Sequence, residues 1–273
     1  MIVCAADDTH GAIDRLYQEV LAFEESHGVR FAWLLHVGDF GIWPDPTRID
    51  GATKRHDGAG DFPAWWSERR AAPRRTLLIK GNHEDFVWLD DQPEAEVLPG
   101  LFYLRNGQRF DITEGDETLT VGGLGGCFGP SDYGRSSRDL HAYRKRHYTR
   151  DEIDALIAGD RVDVLLVHDA PTGVVFERHR RGAGWASESE GLDDLVRGVR
   201  PQVCLFGLST TTPGSMPRSR SRPCSGRDRP RAPMRTLATR NQSPDSLSSG
   251  DLRRLGSGSI PAAACSSQET PVS

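Results

Sequence analysis

The fold of this chain is constrained most by a series of short apolar runs, each followed closely by polar residues. The run at 76–79 precedes Gly-Asn-His-Glu at 81–84, and comparable runs occupy 1–6, 31–37 and 162–167. Short apolar runs without alternation are typical of parallel strands that are buried on both faces. We therefore predict an α/β fold in which the carboxyl ends of these strands meet at one edge, where such folds bind ligands.

Helical patterns connect several of these runs. Apolar residues at helical spacing over 13–23 make the opening a β-α-β unit, whose two strands should be parallel neighbours. Thr149 and Glu152 form a capping box that predicts the start of another helix. A further helix over about 188–198 leads to a last strand at 202–206.

Two other regions have less regular patterns. Residues 101–123 alternate as strands do, and Asn-Gly at 106–107 predicts a hairpin within a second, more antiparallel sheet. The glycines at 122–126 lack the spacing of a nucleotide-binding loop and predict a flexible turn. The segment 41–75 is irregular and contains three tryptophans. It is either a cap beside the cleft or a satellite hydrophobic cluster under a surface loop.

Four of the predicted strands end in Asp, Asn or His. These residues are Asp8 and His10, Asp39, Asn82 and His83, and His168. Carboxylate, imidazole and amide oxygen together suit Mn, Fe or Zn ions better than metals that prefer thiolates. Asp39 could bridge two ions, and such a pair assists phosphoryl transfer. His83 would then protonate the leaving oxygen or stabilise charge on phosphorus. Glu84 would have no metal role and would either start a helix or support the ligands from outside.

The same residues resemble the motifs of the calcineurin-like metallophosphoesterases. The resemblance rests on Asp-Thr-His-Gly at 8–11, Gly-Asp at 38–39, Gly-Asn-His-Glu at 81–84 and Val-His-Asp at 167–169, and it extends over about residues 1–207. It implies a four-layer α/β/β/α sandwich that hydrolyses phosphomonoesters or phosphodiesters at a dinuclear centre of Mn, Fe, Zn or Ni.

The resemblance also implies a role for each site residue. Asp8 and His10 would bind one ion, Asn82 and His168 would bind the other, and Asp39 would bridge the two. His83 would be the catalytic histidine that binds no metal.

A local similarity to RNA lariat debranching enzymes favours a phosphodiester, and a nucleotide or RNA as the substrate. It involves residues 74–84, the glycines at 122–126 with Asp-Tyr at 132–133, and residues 162–171. Those enzymes commonly carry Cys where this chain has His10. The basic and aromatic segment 132–148 is either a solvated face or a surface that holds a phosphodiester and stacks a base.

The chain departs from the family pattern after Gly207. The family closes with Gly-His-x-His, but here Leu208-Ser209-Thr210 follow, and all nine histidines precede Arg180. Residues 209–273 contain ten Arg, no Lys, four acidic residues and no aromatic residue, although the whole chain has a net charge of −5. This composition predicts disorder.

We therefore expect a phosphoesterase domain at 1–207 and a disordered tail at 208–273, which a shifted reading frame would explain. Both ions would lose a ligand, so activity would be impaired. The alternative is a catalytically inactive module of the same fold, whose basic tail binds nucleic acid.

Composition points to a cytoplasmic protein. The five cysteines are odd in number and lack a C-x-x-C pair, as expected of thiols in a reducing compartment. No apolar run approaches the ~20 residues that a membrane span requires, and no signal-peptide pattern opens the chain. The sequence gives no indication of an obligate protein partner.

Overall fold

The computed structural model describes residues 1–55, 60–171 and 189–207, together with the backbone of four short strands at 175–176, 185–186, 237–240 and 262–264. The helices of these residues are α1 (Ile13–His27), α2 (Asp61–Glu68), α3 (Phe86–Asp90), α4 (Arg150–Ala158) and α5 (Leu192–Val199). Single 3-10 turns occupy Pro46–Arg48, Thr53–Arg55, Ser137–Asp139 and Ala142–Arg146. None of the described helices is long and apolar enough to cross a membrane.

The strands form two parallel-rich sheets and one small ribbon. The strands are β1 (Val3–Ala6), β2 (Trp33–His36), β3 (Arg75–Leu78), β4 (Glu96–Leu98), β5 (Leu101–Tyr103), β6 (Arg109–Glu114), β7 (Glu117–Leu124), β8 (Val164–Val167), β9 (Val175–Phe176), β10 (Trp185–Ala186), β11 (Val203–Phe206), β12 (Leu237–Arg240) and β13 (Ala262–Ala264). The first sheet has the order β13-β1-β2-β3-β5-β4, and the second has the order β12-β11-β8-β7-β6. Strands β9 and β10 pair only with each other.

The apolar runs are continuous because each central strand is buried on both faces. In β3 and the residue after it, Leu77 and Ile79 contact the core between the two sheets, whereas Leu78 faces the helices. In β8, Leu166 contacts the core between the two sheets, whereas Leu165 faces the helices on the other side. The period of two along a strand makes this division unavoidable.

Three separate hydrophobic cores confirm the predicted four-layer α/β sandwich. One core lies between the first sheet and helices α1, α2 and α3, a second lies between the two sheets, and a third lies between the second sheet and helices α4 and α5. The expected β-α-β opening is present, since β1 and β2 are parallel and paired along their length. The carboxyl ends of β1, β2 and β3 therefore lie side by side.

The predicted hairpin at 106–107 is wrong. Strand β5 pairs with β3 and β4 in the first sheet, whereas β6 pairs with β7 in the second, so Asn106 and Gly107 lie in a connection between sheets. The amide side chain of Asn106 donates to the Gly125 carbonyl and accepts from its N–H. The antiparallel hairpin of this region instead turns at Gly115 and Asp116.

The glycines at 122–126 do not form the flexible turn that was predicted. The first two belong to β7, which pairs with β6 and β8. A Cβ atom at Gly123 would lie 2.8 Å from the side chain of Leu104, and one at Gly125 would lie 2.2 Å from the Lys80 carbonyl oxygen. These glycines are required because neighbouring strands and side chains approach too closely for any side chain.

The segment 41–75 is more regular than its composition suggested, since it contains α2 and two 3-10 turns. Trp65 of α2 is buried and stacks on Tyr17 of α1, with ring centroids 5.3 Å apart. This part of the segment belongs to a main core rather than to a satellite cluster. The capping box of α4 is present as predicted, since the Glu152 carboxylate accepts from the Thr149 amide at 3.0 Å.

The predicted disordered tail at 208–273 lies almost wholly outside the described residues. Its two described strands join existing sheets: β12 pairs antiparallel with β11, and β13 pairs parallel with β1. No disulfide forms among the three cysteines of the described part, Cys4, Cys127 and Cys204.

Candidate metal centre

The six predicted site residues converge where four strands end. Asp8 and His10 follow β1, Asp39 follows β2, Asn82 and His83 follow β3, and His168 follows β8 of the second sheet. One ligand atom from each of Asp8, Asp39 and His168 lies within 4.8 Å of the other two. The other three residues contact this group, as the following distances show.

Asp39 lies at the centre of the cluster. Its Oδ2 atom is 3.7 Å from Nε2 of His10 and also 3.7 Å from Nε2 of His168. Its Oδ1 atom accepts from the backbone N–H of His83 at 2.8 Å. One carboxylate oxygen thus faces two imidazoles that come from different sheets, and Asp39 itself is only 4% exposed.

Asn82 and His168 present two electron-pair donors to each other. Nδ1 of the fully buried His168 lies 2.8 Å from the carbonyl oxygen of Val37, to which it donates. Nε2 lies 3.0 Å from the amide Oδ1 of Asn82, so in the neutral ring two lone pairs face each other there. Two acceptors at this separation are stabilised by a proton or by a cation that both of them bind.

Asp8 carries the clearest sign of a missing positive charge. Its Oδ1 atom is buried and has no hydrogen-bond partner. Burial raises the pKa of Asp8 well above its usual value, and the nearby carboxylates Asp39 and Asp7 raise it further. A buried carboxylate without a partner is costly, and a bound cation would remove that cost.

Backbone conformation at the site is strained. Asp8, His10 and Asp39 have φ angles of 49°, 47° and 53°, three of the six positive φ values for non-glycine residues in the described part. Such conformations cost about 1–2 kcal/mol each and concentrate at functional sites. Gly81 allows the close approach, because a Cβ atom there would lie 2.0 Å from Oδ1 of Asp39.

His83 is oriented by a residue that the sequence did not identify. Its Nδ1 atom is 2.5 Å from Oδ2 of Asp50, and its side chain is 22% exposed. Burial lowers the pKa of His83, but the hydrogen bond to Asp50 and the charge of Asp39 outweigh this and raise it above the usual value. Asp50 lies in the segment 41–75, whose proposed position as a cap beside the cleft was the only signal that could have suggested it.

Glu84 binds the loop that carries Asp39. Its buried carboxylate accepts the backbone N–H groups of Phe40, Gly41 and Ile42 at 2.8, 3.0 and 2.7 Å. Burial and repulsion by Asp39 raise the pKa of Glu84 to about 8, against the lowering effect of these three donors.

A hydroxyl connects the first two loops of the site. Thr9 Oγ1 donates to the carbonyl of Phe40 at 3.1 Å and lies 3.2 Å from Nε2 of His36. Burial and the nearby imidazoles of His168 and His10 lower the pKa of His36 to about 3. His36 is therefore neutral, and its Nε2–H donates to Thr9 because the single hydroxyl proton is already committed.

The donor set fits a divalent cation of the Mn, Fe or Zn type. Carboxylates, imidazoles and an amide oxygen lie together here, and the buried Oδ1 atom of Asp8 has no hydrogen-bond partner. This combination suits borderline metals better than Cu(I), which prefers sulfur. The residues that are present thus fit one or two divalent ions.

Part of the basic segment 132–148 is structural. The buried carboxylate of Asp132 pairs with Arg144 and accepts from Nδ1 of His147 at 2.7 Å. Tyr143 differs, since it is 65% exposed and Arg146 lies over its ring at 5.7 Å. Neither the solvated face nor the ligand-binding surface describes the Asp132 contacts, which are buried and structural, whereas Tyr143 and Arg146 leave a surface available to a ligand.

Comparison with known proteins agrees with the geometry. The family profile described as Calcineurin-like phosphoesterase matches residues 6–207. The chain is 28% identical over 215 residues to the lariat debranching enzyme of Drosophila melanogaster, covering 70% of this chain and 39% of the fly protein. It is 29% identical to the enzyme of Schizosaccharomyces pombe over 180 residues, covering 62% of this chain and 36% of the relative. The chain thus spans less than two fifths of the length of these curated relatives.

Proposed function

The chain belongs to the calcineurin-like phosphoesterase family of phosphoester hydrolases, and on that basis we propose that it is a metal-dependent phosphodiesterase acting on RNA. One observation carries the proposal: Oδ2 of Asp39 is equally distant, at 3.7 Å, from the imidazoles of His10 and His168. A carboxylate in this position can serve two cations. Family members typically bind divalent metal ions.

Five residues would hold the cations. Asp8 and His10 would bind one, Asn82 and His168 would bind the other, and Asp39 would contact both. When bound, the two ions supply Lewis-acid polarisation of the phosphoryl group and hydroxide at neutral pH. The buried position of these ligands limits competition from bulk water, which strengthens each electrostatic contact.

His83 acts as the general acid. Asp50 binds Nδ1 of the ring, so Nε2 is the atom that remains to face the substrate. The hydrogen bond to Asp50 and the charge of Asp39 raise the pKa of His83, which favours the protonated ring. The ring can therefore donate a proton to the leaving oxygen, which is otherwise expelled as an alkoxide.

RNA as the substrate class is supported by two features. The curated relatives reported above are lariat debranching enzymes. In addition, the exposed Tyr143 with Arg146 over its ring offers a base-stacking surface next to a cation. The Arg146 carbonyl accepts from the Cys127 N–H at 2.9 Å, and the adjacent Gly126 N–H donates to the Lys80 carbonyl at 2.9 Å, which attaches this surface to the strand end at Lys80.

The turnover of this chain should be low. Gly207 is not followed by the His-x-His pair that closes the family pattern, so each cation would have one protein ligand fewer. The same absence favours the second candidate, an inactive module that binds nucleic acid through its basic tail. Salt-sensitive RNA binding that disappears when 209–273 are deleted, without any hydrolysis, would support that candidate instead.

Metal content and hydrolysis of a chromogenic phosphodiester test the proposal. Purified protein should contain Mn, Fe, Zn or Ni, and Asp39→Asn should abolish both metal and hydrolysis. His83→Ala should retain the metal but lower kcat by about 10²–10⁴-fold. Asp160→Asn, a change at an exposed residue, is the matched control and should alter neither. Metal-free wild-type protein that also binds no added Mn²⁺ would overturn the proposal.

A further inference from the structure

The loop that carries Asp39 is hydrogen-bonded on both sides. We define the Asp39 loop as residues 38–42. Along one side, its carbonyl groups accept from the backbone of the first loop: Gly38 from Asp8 at 3.2 Å and Asp39 from His10 at 2.7 Å. The carbonyl of Phe40 accepts from Gly11 at 2.9 Å.

On the other side, the amide groups of the Asp39 loop converge on one side chain. Oε1 of Glu84 accepts from Phe40 at 2.8 Å, while Oε2 accepts from Gly41 at 3.0 Å and from Ile42 at 2.7 Å. Glu84 is only 1% exposed, so water could not take its place as the acceptor of these three N–H groups. Buried N–H groups that lose their acceptor are costly, so these three hydrogen bonds hold the loop in place.

This arrangement links two strand ends of the site. Glu84 lies two residues after Asn82, whereas the loop it binds contains Asp39, so one side chain sets the separation of two proposed ligands. Asp39 has a φ of 53°, which lies in the left-handed region that residues other than glycine rarely adopt. The surrounding hydrogen bonds must therefore maintain this conformation. Losing the acceptor would release three buried amides next to that strained residue.

We infer that Glu84 is a positioning residue that holds Asp39 in its metal-binding conformation and thereby sets the affinity of the centre for its cations. The inference rests on the proposed function. It differs from a purely structural role, in which Glu84 would stabilise the start of α3. Asp85 already has that role, since its carboxylate accepts from Trp88 N at the beginning of the helix.

Glu84→Gln is the direct test, because an amide cannot accept from all three N–H groups. The Mn²⁺ dissociation constant, measured by titration calorimetry, should rise by about 10–100-fold. The visible absorption spectrum of the Co²⁺-loaded protein should also change, since it reports ligand geometry. The matched control is Asp85→Asn, a neighbouring buried acid that pairs with Arg48 and does not contact the Asp39 loop with its side chain. It should retain wild-type affinity and spectrum.

Glu84→Asp keeps the carboxyl group but shortens the side chain, so it remains informative even if the glutamine variant does not fold. Folded Glu84→Asp should also bind Mn²⁺ more weakly than the wild type. Either folded variant with wild-type Mn²⁺ affinity and an unchanged Co²⁺ spectrum would overturn the inference while leaving the proposed function intact. Wild-type protein that binds no Mn²⁺ would overturn the proposed function itself.

Discussion

His83 keeps its orientation through a residue 33 positions earlier in the chain, Asp50. The pKa of Asp50 is lowered: burial raises it, but the hydrogen bond to His83 and the bond from the Thr53 amide outweigh that effect. The carboxylate is therefore ionised at neutral pH. It can stabilise a positive charge on the imidazole and also orient the ring through the hydrogen bond. Replacing Asp50 should therefore affect the His83 imidazole and leave the proposed metal ligands unchanged.

Asp50→Asn should lower kcat by about 10–100-fold while metal content and KM stay near their wild-type values. The amide would still reach the ring but would neither orient it uniquely nor stabilise its charged form. Steady-state kinetics and metal analysis of the same preparation give the measurement. Asp45→Asn is the control, since Asp45 belongs to the same segment but its exposed carboxylate accepts from Thr47 rather than from His83. A fall in metal content equal to the fall in kcat would contradict this role.

At the scale of elements, an ion pair attaches helix α1 to the strand that carries the central motif. The buried carboxylate of Glu24 accepts from the guanidinium of Arg74 and from the Phe31 amide at 2.6 Å. Burial raises the pKa of Glu24, but the Arg74 and Phe31 hydrogen bonds outweigh it, so the folded-state pKa lies below its usual value. The stabilisation from this carboxylate is therefore present above the unfolded-state pKa and is lost as the pH falls through the folded-state pKa.

Glu24→Gln should lower the free energy of unfolding at pH 7 by about 1–3 kcal/mol, since hydrogen bonds to a charged group are replaced by weaker ones. The difference from wild type should shrink on acidification below about pH 4, where the wild-type carboxylate also becomes protonated. Urea unfolding at several pH values measures both effects. Glu19→Gln breaks only a surface pair with Arg15 and should cost less than about 0.5 kcal/mol. A pH-independent difference would contradict the assignment.

Strand β7 tests the close packing of the two sheets. Gly123→Ala places a methyl group where Leu104 and Ile79 already lie within 2.9 Å of the ideal Cβ position. The free energy of unfolding should fall by about 1–3 kcal/mol because the core is overpacked. Gly134→Ala, at a position with nothing within 4 Å, is the control and should be nearly neutral. Thermal unfolding of both variants decides the matter, and equal midpoints would refute the packing explanation.

At the scale of the whole molecule, strand β11 brings its backbone to the candidate centre, but the sequence after it offers no histidine. Gly207 follows β11 and donates its N–H to the His168 carbonyl at 3.2 Å, so the chain reaches the candidate centre. The next residues, Leu208, Ser209 and Thr210, lie outside the described part. By the family pattern, histidines would stand in the first and third of these positions.

The double substitution Leu208→His and Thr210→His should therefore raise the metal affinity and increase hydrolysis. Each cation regains an imidazole. Residues that bind a metal or orient its ligands typically change the metal affinity by about tenfold or more. Mn²⁺ titration and phosphodiester hydrolysis provide the readout. The alanine pair at the same two positions is the control, because it changes the same residues without adding a ligand. Equal gains in both double variants would show that the histidines are not the cause.

Sequence patterns were sufficient wherever local chemistry decides the outcome. Buried parallel strands appear as uninterrupted apolar runs, and the capping box of α4 is written in two residues. The polar residues after β1, β2, β3 and β8 pointed to one edge because parallel strands end together. The predicted residues do meet there, with Asp39 between His10 and His168.

Only the tertiary structure decided features that depend on contacts between distant segments. Asn-Gly at 106–107 looks like a hairpin, but its strands join different sheets because β5 pairs with β3 rather than with β6. The roles of Asp50 and Glu84 likewise arise from side chains that meet residues 33 and 42–44 positions away. A sequence determines which groups a strand end offers, whereas the packing of two sheets determines which groups meet.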